Sequence, residues 1–392
     1  MRITPLAIAT AAAIPIAFTA FSAVAQQAVL EETIVTAQRR TESLQDAAIA
    51  VTVASGETLT RLGITDATGL PKISPALTVA SGGGSNNIYF VRGVGNFAVN
   101  GYTDPAVAFN VDGVYIGRPS ATTASFLDLE RVEVLKGPQG TLYGRNATAG
   151  AINIIPAKPI LGETFGNVSA GVGNYGSWEA SGALNVALGE NWAARFAAGK
   201  TENDGYNDDD TNKTDDTAFR AQVFGDLTES ISVRLAVDYS TTEGNGNGPS
   251  FDGNYGFNLG MPSDNPNNVT GYNFNPSPSN VSDGHTGALT NAASAYYGSL
   301  NTTPAFTTPA PMVPPSVDNT YKGIMAEINV DLGFGDLVFI PAYREADIDV
   351  LFNTPGFQAA INDEDHEQTS FEARLSTKTG PVDWILGAFY FD

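Results

Sequence analysis

Few side chains in this sequence have types and spacing that could do chemistry. Asp204, Asp208, Asp209, Asp210, Asp215 and Asp216 form an acidic run whose oxygens could hold Ca²⁺. The run lacks an ordered ligand spacing, so a solvated acidic loop is the expected reading. His285 and His366 stand alone, and with no cysteine there is neither a thiolate site nor a His/Cys/Asp metal constellation. No nucleophile is placed beside a base, so the chain is expected not to be an enzyme and to need no cofactor. Gly82-Gly83-Gly84 and the glycines from Gly137 to Gly144 could approach a phosphate. No Gly-Lys-Ser/Thr follows the second group and no dinucleotide fingerprint surrounds the first, so both read as backbone devices.

The elements that must position these side chains are mostly strands. The 392 residues carry a formal charge of −22, from 20 basic and 42 acidic side chains, which argues against a nucleic-acid partner. With 41 Gly, 14 Tyr and 21 Phe beside only 16% charged residues, the composition fits a turn-rich all-β protein with aromatic belts. After the N-terminus no stretch is apolar over the ~20 residues a membrane helix needs, so any crossing must be made by strands. At the N-terminus itself, Arg2 precedes an apolar run from Leu6 to Phe21 and the small-x-small site Ala23-Val24-Ala25. Residues 1–25 therefore read as a removed export signal.

Residues 26–44 are polar around one short β-prone run, Thr33-Ile34-Val35-Thr36. Residues 45–158 mix strand patches with glycines and one helix near Gly56–Leu62, with Ser55 as N-cap and Gly63 as its stop. From Gly166 onward a two-residue alternation takes over. Ile231, Val233, Leu235, Val237 and Tyr239 share one face, with Ser232, Arg234, Ala236, Asp238 and Ser240 on the other. Ile324, Ala326, Ile328, Val330 and Leu332 oppose Gly323, Glu327, Asn329 and Asp331; Phe371, Ala373 and Leu375 oppose Glu372, Arg374 and Ser376. The pattern predicts strands at 165–173, 177–188, 192–201, 217–227, 231–240, 320–332, 336–348, 368–378 and 382–392. Tight turns such as Gly189-Glu190-Asn191 and Gly333-Phe334-Gly335 alternate with long links at 202–216, 241–319 and 349–367. A soluble sandwich would also alternate, but short turns on one side and long loops on the other fit an outer-membrane barrel. The 241–319 loop is rich in Asn, Ser, Pro and Gly with interspersed aromatics, and a folded, ligand-facing or surface-covering loop is expected there.

Several of these residues carry a resemblance. Glu32-Thr33-Ile34-Val35-Thr36-Ala37 resembles a TonB box, and residues 128–155, DLERVEVLKGPQGTLYGRNATAGAINII, resemble the plug signature of TonB-dependent outer-membrane receptors. Phe90-Val91-Arg92-Gly93-Val94 and Val111-Asp112-Gly113-Val114-Tyr115 match other recurring plug motifs. The resemblance implies that residues 32–37 bind TonB's periplasmic C-terminal domain. Chemically, a short β-branched segment on a polar tether suits strand addition to another protein's sheet edge. It also implies that Arg92 and Arg131 pair with barrel-wall glutamates. Glu133 and the lumen-facing Glu372 or Glu327 are the candidates here. The apical plug loops should face the ligand with Ser85, Asn86, Asn87, Asn96, Phe97, Asn100, Tyr102, Arg118 and Ser120.

The expected fold is mainly β: an antiparallel transmembrane β-barrel with a small α/β plug inside. The expected division is a signal peptide (1–25), a periplasmic segment with the box (26–44), the plug (45–158) and the N-terminal part of the barrel (159–392). About nine strands are read where plugged transporters have about 22, so the sequence is expected to be a fragment of a larger monomeric, lipid-embedded receptor. The parent would import a scarce small molecule such as an iron chelate, vitamin or saccharide. A surface-binding or adhesion protein is the rival reading, and a passive porin the third; neither needs both a box and a plug. N-terminal sequencing of the exported protein is expected to begin at Gln26, and a retained Met1 would remove the export-signal reading.

Overall fold

The computed structural model describes residues 34–40, 42–81, 86–97, 103–246, 253–259, 269–276, 287, 289–290, 314–354 and 357–392. The export signal, Glu32, Thr33 and most of the 241–319 loop lie outside these residues.

The first half is a compact α/β body. Strands Val51–Ser55, Leu129–Lys136, Gly150–Pro156, Val107–Val111 and Val114–Ile116 form one sheet in that spatial order, and only the 107–111 and 150–156 strands run parallel. A second sheet is built from Leu77–Ser81, Asn87–Val91 and Val94–Gly95. On one face of the larger sheet Val132, Val134, Ile152 and Ile154 pack with Leu59, Leu70, Leu77 and Tyr89. On the other, Leu135, Ala151, Ala108 and Tyr143 cover Val35 and Ala37. The helix Gly56–Arg61 starts as the sequence predicts: Ser55 Oγ accepts from the Thr58 N–H at 3.2 Å, capping an otherwise orphaned donor. Gly63, at φ +60°, ends it in a conformation few other residues adopt without strain.

The second half is one antiparallel wall of nine strands, each paired with its neighbour in order. They are Phe165–Val172, Trp178–Ala187, Trp192–Asn203, Thr214–Thr228, Ile231–Gly244, Ser316–Asp331, Gly335–Thr354, Phe357–Thr379 and Val382–Phe391. All nine coincide with strands predicted from alternation. The wall is open, with Phe165–Val172 and Val382–Phe391 as its two edges. Alternation sorts its faces as strand geometry requires. Leu235, Val237 and Tyr239 point outward and exposed, while Arg234, Ala236 and Ser240 point inward and are buried against the α/β body. No helix among the described residues is long and apolar enough to cross a membrane.

One link differs from expectation. The predicted loop 349–367 is largely strand: Gly335–Thr354 and Phe357–Thr379 stay in register from Leu351↔Ile361 down to Gly335↔Thr377. Alternation persists there, with Ile348 and Val350 buried inward, but the outward positions Asp347, Asp349, Asp363 and Asp365 are acidic and exposed. The apolar outward signature therefore ends before the strands do. Within 241–319, Gly253–Leu259 pairs with Val269–Pro276 as a hairpin, with Tyr255 opposite Phe274 and Phe257 opposite Tyr272.

The outward face yields a prediction. Leu235→Arg is expected to reduce the membrane-inserted fraction by roughly tenfold or more, since a cation on a lipid-facing strand costs ~2–4 kcal/mol near the midplane. Leu235→Phe should leave that fraction unchanged in a heat-modifiability assay. Equal behaviour of the two variants would mean this face does not meet lipid.

Candidate functional site

The segment that resembles a TonB box enters as a two-residue strand. Ile34–Val35 pairs antiparallel with Glu42–Ser43, and Val35 and Ala37 are completely buried. Its backbone is held by two side chains of the plug sheet. The Thr36 N–H donates to Glu133 Oε1 at 2.8 Å, and the Tyr143 hydroxyl donates to the Ala37 carbonyl at 3.1 Å. Arg39, two residues on, lies over the Tyr143 ring at 4.3 Å and reaches Glu372 of the wall at 3.7 Å.

Glu133 is fully buried and organises a polar row inside an otherwise apolar face. Register places Glu133 opposite Asn153, and Asn153 opposite Asn110. Asn153 Nδ2 donates to Glu133 Oε2 at 3.2 Å and to the Tyr143 hydroxyl at 2.7 Å, while Asn110 Nδ2 donates to Asn153 Oδ1 at 3.2 Å. Arg131 Nε closes the row on Glu133 at 2.9 Å. Of the partners expected for Arg131, the structure brings up Glu133 and not the wall glutamates. Arg131 pairs within the plug, with Glu133 and Glu130, because its strand lies against the box rather than the wall. Glu372 instead takes Arg374 and Arg39, and Glu327 takes Arg234 and Lys158. Arg92 sits exposed in a turn at φ 52° and makes no ion pair among the described residues.

The apical positions divide. Phe97 is exposed, and Asn96 donates to the Asp104 carbonyl at 3.0 Å. Asn86 and Asn87 are buried at the head of the Asn87–Val91 strand. Arg118 precedes the short turn Pro119–Thr122. Ser120 is buried against the wall, donating to Glu364 at 2.7 Å with His366 Nε2 at 3.2 Å. Ser85, Asn100 and Tyr102 lie outside the described residues. The acidic run separates as well: Asp215 pairs with Lys200, Asp210 with Lys213, and Asp209 accepts from Thr211. No metal-holding group of three or more His, Cys, Asp or Glu occurs among the described residues.

Two buried ion pairs between plug and wall involve motif residues that were given no pairing role from the sequence, Asp112 and Asp128. Asp112, at φ 56° in the two-residue turn with Gly113, inserts between Arg220 and Arg234 of the wall. Arg234 holds both its oxygens at 2.7 Å and is itself almost completely buried. Burial would raise the Asp112 carboxyl, but Arg234 and Arg220 outweigh it and keep it well below the usual carboxylate range. At the same end of the sheet, across the Gly150–Pro156 strand, Asp128 is gripped by Arg195 through Nε and Nη2, both at 2.6 Å. The sequence signal was available: Arg195, Arg220 and Arg234 occupy inward positions on strands whose outward faces are apolar, where a cation needs a buried partner.

Residues 43–151 match the family described as TonB-dependent Receptor Plug Domain. The pesticin receptor of Yersinia pestis is 36% identical over 118 residues, 28% of this chain and 16% of that protein. The vitamin B12 transporter BtuB of Vibrio vulnificus is 28% identical over 232 residues, 55% of this chain and 35% of that protein. The chain thus spans well under half the length of these relatives. In fold, the ferric yersiniabactin uptake receptor FyuA from Yersinia pestis superposes with a TM-score of 0.65 at 19% identity, over 88% of this chain and 48% of that one.

Asp112→Asn is expected to destabilise the plug–wall contact by about 3–5 kcal/mol, because it leaves buried guanidinium groups without their counter-charge. A depressed folded-state pKa contributes stability that is present above the unfolded carboxylate value of about 4 and lost as pH falls through the folded value. The gap between parent and variant in thermal melts should therefore be constant from neutral pH to about pH 5 and narrow only below about pH 4. A gap that closes on mild acidification would contradict this assignment.

Proposed function

We propose, for a chain with the plug domain and wall fold of a TonB-dependent outer-membrane receptor, that it serves active import. In this reading it binds a scarce extracellular nutrient and delivers it to the periplasm with energy applied through residues 32–37. The domain division follows: export signal 1–25, box segment 26–44, plug 45–158 and wall from 159. Iron chelates and vitamins are the first solute classes to consider, given relatives named as a vitamin B12 transporter and a ferric yersiniabactin uptake receptor.

The observation that carries this reading is the state of the box. Ile34–Val35 is already extended, its main-chain ladder is only the two-residue rung Glu42–Ser43, and the plug holds the next two residues through Glu133, Arg131 and Tyr143. Such a segment can exchange its partners for the edge of TonB's sheet, where main-chain bonds supply most of the affinity. An adhesion protein has no use for a detachable strand on the face of a plug pinned to the wall by Asp112 and Asp128.

Val35→Pro removes a backbone donor and is expected to bring uptake down to the level of cells lacking TonB. Binding of the solute at the cell surface should stay within about twofold of the parent, since the substitution lies outside the apical loops. A growth screen against single nutrient sources identifies the solute first. Uptake by the variant equal to the parent would defeat the import reading.

A further inference from the structure

Four inward guanidinium groups lie close together on the wall: Arg195, Arg220, Arg234 and Arg344, from strands Trp192–Asn203, Thr214–Thr228, Ile231–Gly244 and Gly335–Thr354. The wall answers them with two carboxylates. Asp238 takes Arg344 at 2.7 Å and Arg220 at 3.4 Å, and Glu327 takes Arg234 at 2.5 Å while also holding the exposed Lys158. Gly323 leaves room for this packing, since a Cβ there would stand 2.7 Å from Arg344 Nη1 and 2.9 Å from Asp238 Oδ1. The two negative charges still missing are supplied by the plug, as Asp112 and Asp128.

The wall is therefore electrostatically incomplete on its own. Arg195, Arg220 and Arg234 are each nearly buried, and a guanidinium stranded in that setting costs several kcal/mol. The fork of an arginine that accepts a carboxylate through two parallel N–H bonds accepts any planar or tetrahedral oxyanion of similar size. Beside Arg220 the plug and wall also enclose a cavity of about 100 Å³, bounded by Phe109, Ile116 and Phe126 on the plug and by Asp238 and Arg344 on the wall. Both Arg220 and Arg344 line it.

We propose that Arg195, Arg220 and Arg234 form an anion-binding track on the lumen wall, capped at rest by Asp112 and Asp128. The imported solute then carries carboxylate or phosphate groups that replace these caps as the plug yields. A solute of this class lowers the cost of parting plug from wall, because the arginines exchange one oxyanion for another. A neutral solute leaves Arg195 without a carboxylate and Arg220 and Arg234 with only the wall's Asp238 and Glu327. The inference rests on the import reading for its function, but the track itself is measurable without transport.

The test uses the full-length receptor purified in detergent, with pyrophosphate and citrate as probes and chloride as control at constant ionic strength. Asp112→Ala empties the central cap. Titration calorimetry is expected to show millimolar or tighter binding of either probe by the variant and at least tenfold weaker binding by the parent. The same probes should raise the variant's melting temperature and leave the parent's unchanged. The triple variant Asp112→Ala/Arg220→Gln/Arg234→Gln should lose both effects. If Asp112→Ala does not fold, Asp112→Asn keeps the side-chain volume and is read in the same way. Indifference of the single variants to both probes, or equal binding by the triple variant, overturns the track. That result leaves the import reading intact as long as Val35→Pro still abolishes uptake.

Discussion

One carboxylate governs how the two halves of this protein fit. Asp112 stands at the tip of a turn that only a left-handed residue followed by Gly113 can make, and the wall closes two guanidinium groups around it. Neither side is viable alone at this depth. An aspartate buried without a cation would be protonated or expelled, and Arg234, almost inaccessible to water, would keep only Glu327, which it shares with Lys158. The pair fixes the orientation of the 107–116 hairpin. Through the parallel pairing of Val107–Val111 with Gly150–Pro156, it fixes the whole plug sheet. Asp128 with Arg195 repeats the device at a second point, so the plug cannot rotate about the first.

Strand geometry makes that arrangement available. Because side chains alternate along each strand, one sheet can show Leu235, Val237 and Tyr239 to the outside and Arg234 and Asp238 to the inside without any change of backbone. A one-residue slip in register would exchange the two faces, burying aliphatic side chains against plug carboxylates and turning arginines outward. The charges on the inner face thus act as a register lock as well as a plug anchor. The wall strands must pair in their observed order for Asp238 to meet Arg220 and Arg344, and for Glu327 to meet Arg234.

What was legible in the sequence follows from the same periodicity. The nine wall strands, the Ser55-capped helix and the inward position of Arg234 could all be read, because period-2 alternation and capping are local signals. The upward continuation of the Gly335–Thr354 and Phe357–Thr379 strands could not, since alternation survives there but its outward members are acidic rather than apolar. Pairing between distant charges was the least legible of all. Arg131 finds Glu133 two residues away, while Asp112 reaches partners more than a hundred residues on, and nothing in the spacing of the motifs distinguishes those outcomes. The expectation also ran in the opposite sense, with plug arginines meeting wall glutamates, whereas the structure sets plug aspartates against wall arginines.

The box and the anchor lie on opposite sides of one polar row, and the difference between their attachments has a mechanical consequence. Withdrawing Thr36 from Glu133 removes a main-chain hydrogen bond to a carboxylate, worth roughly 1.5–3 kcal/mol, and the hydroxyl's contact with the same oxygen at 3.2 Å. The carboxylate keeps Arg131 and Asn153 as donors, so it is not orphaned. The freed Thr36 N–H and Ala37 carbonyl can bond to water or to an incoming strand. Withdrawing Asp112 leaves two buried guanidinium groups short of a counter-charge, at about 3–5 kcal/mol for the broken pair. Release of this segment leaves the Asp112 and Asp128 ion pairs intact, so the plug stays seated. Pulling on the box would work first against the short rung Ile34–Val35 and the edge strand Val51–Ser55, both N-terminal to every residue that anchors the sheet to the wall's arginines.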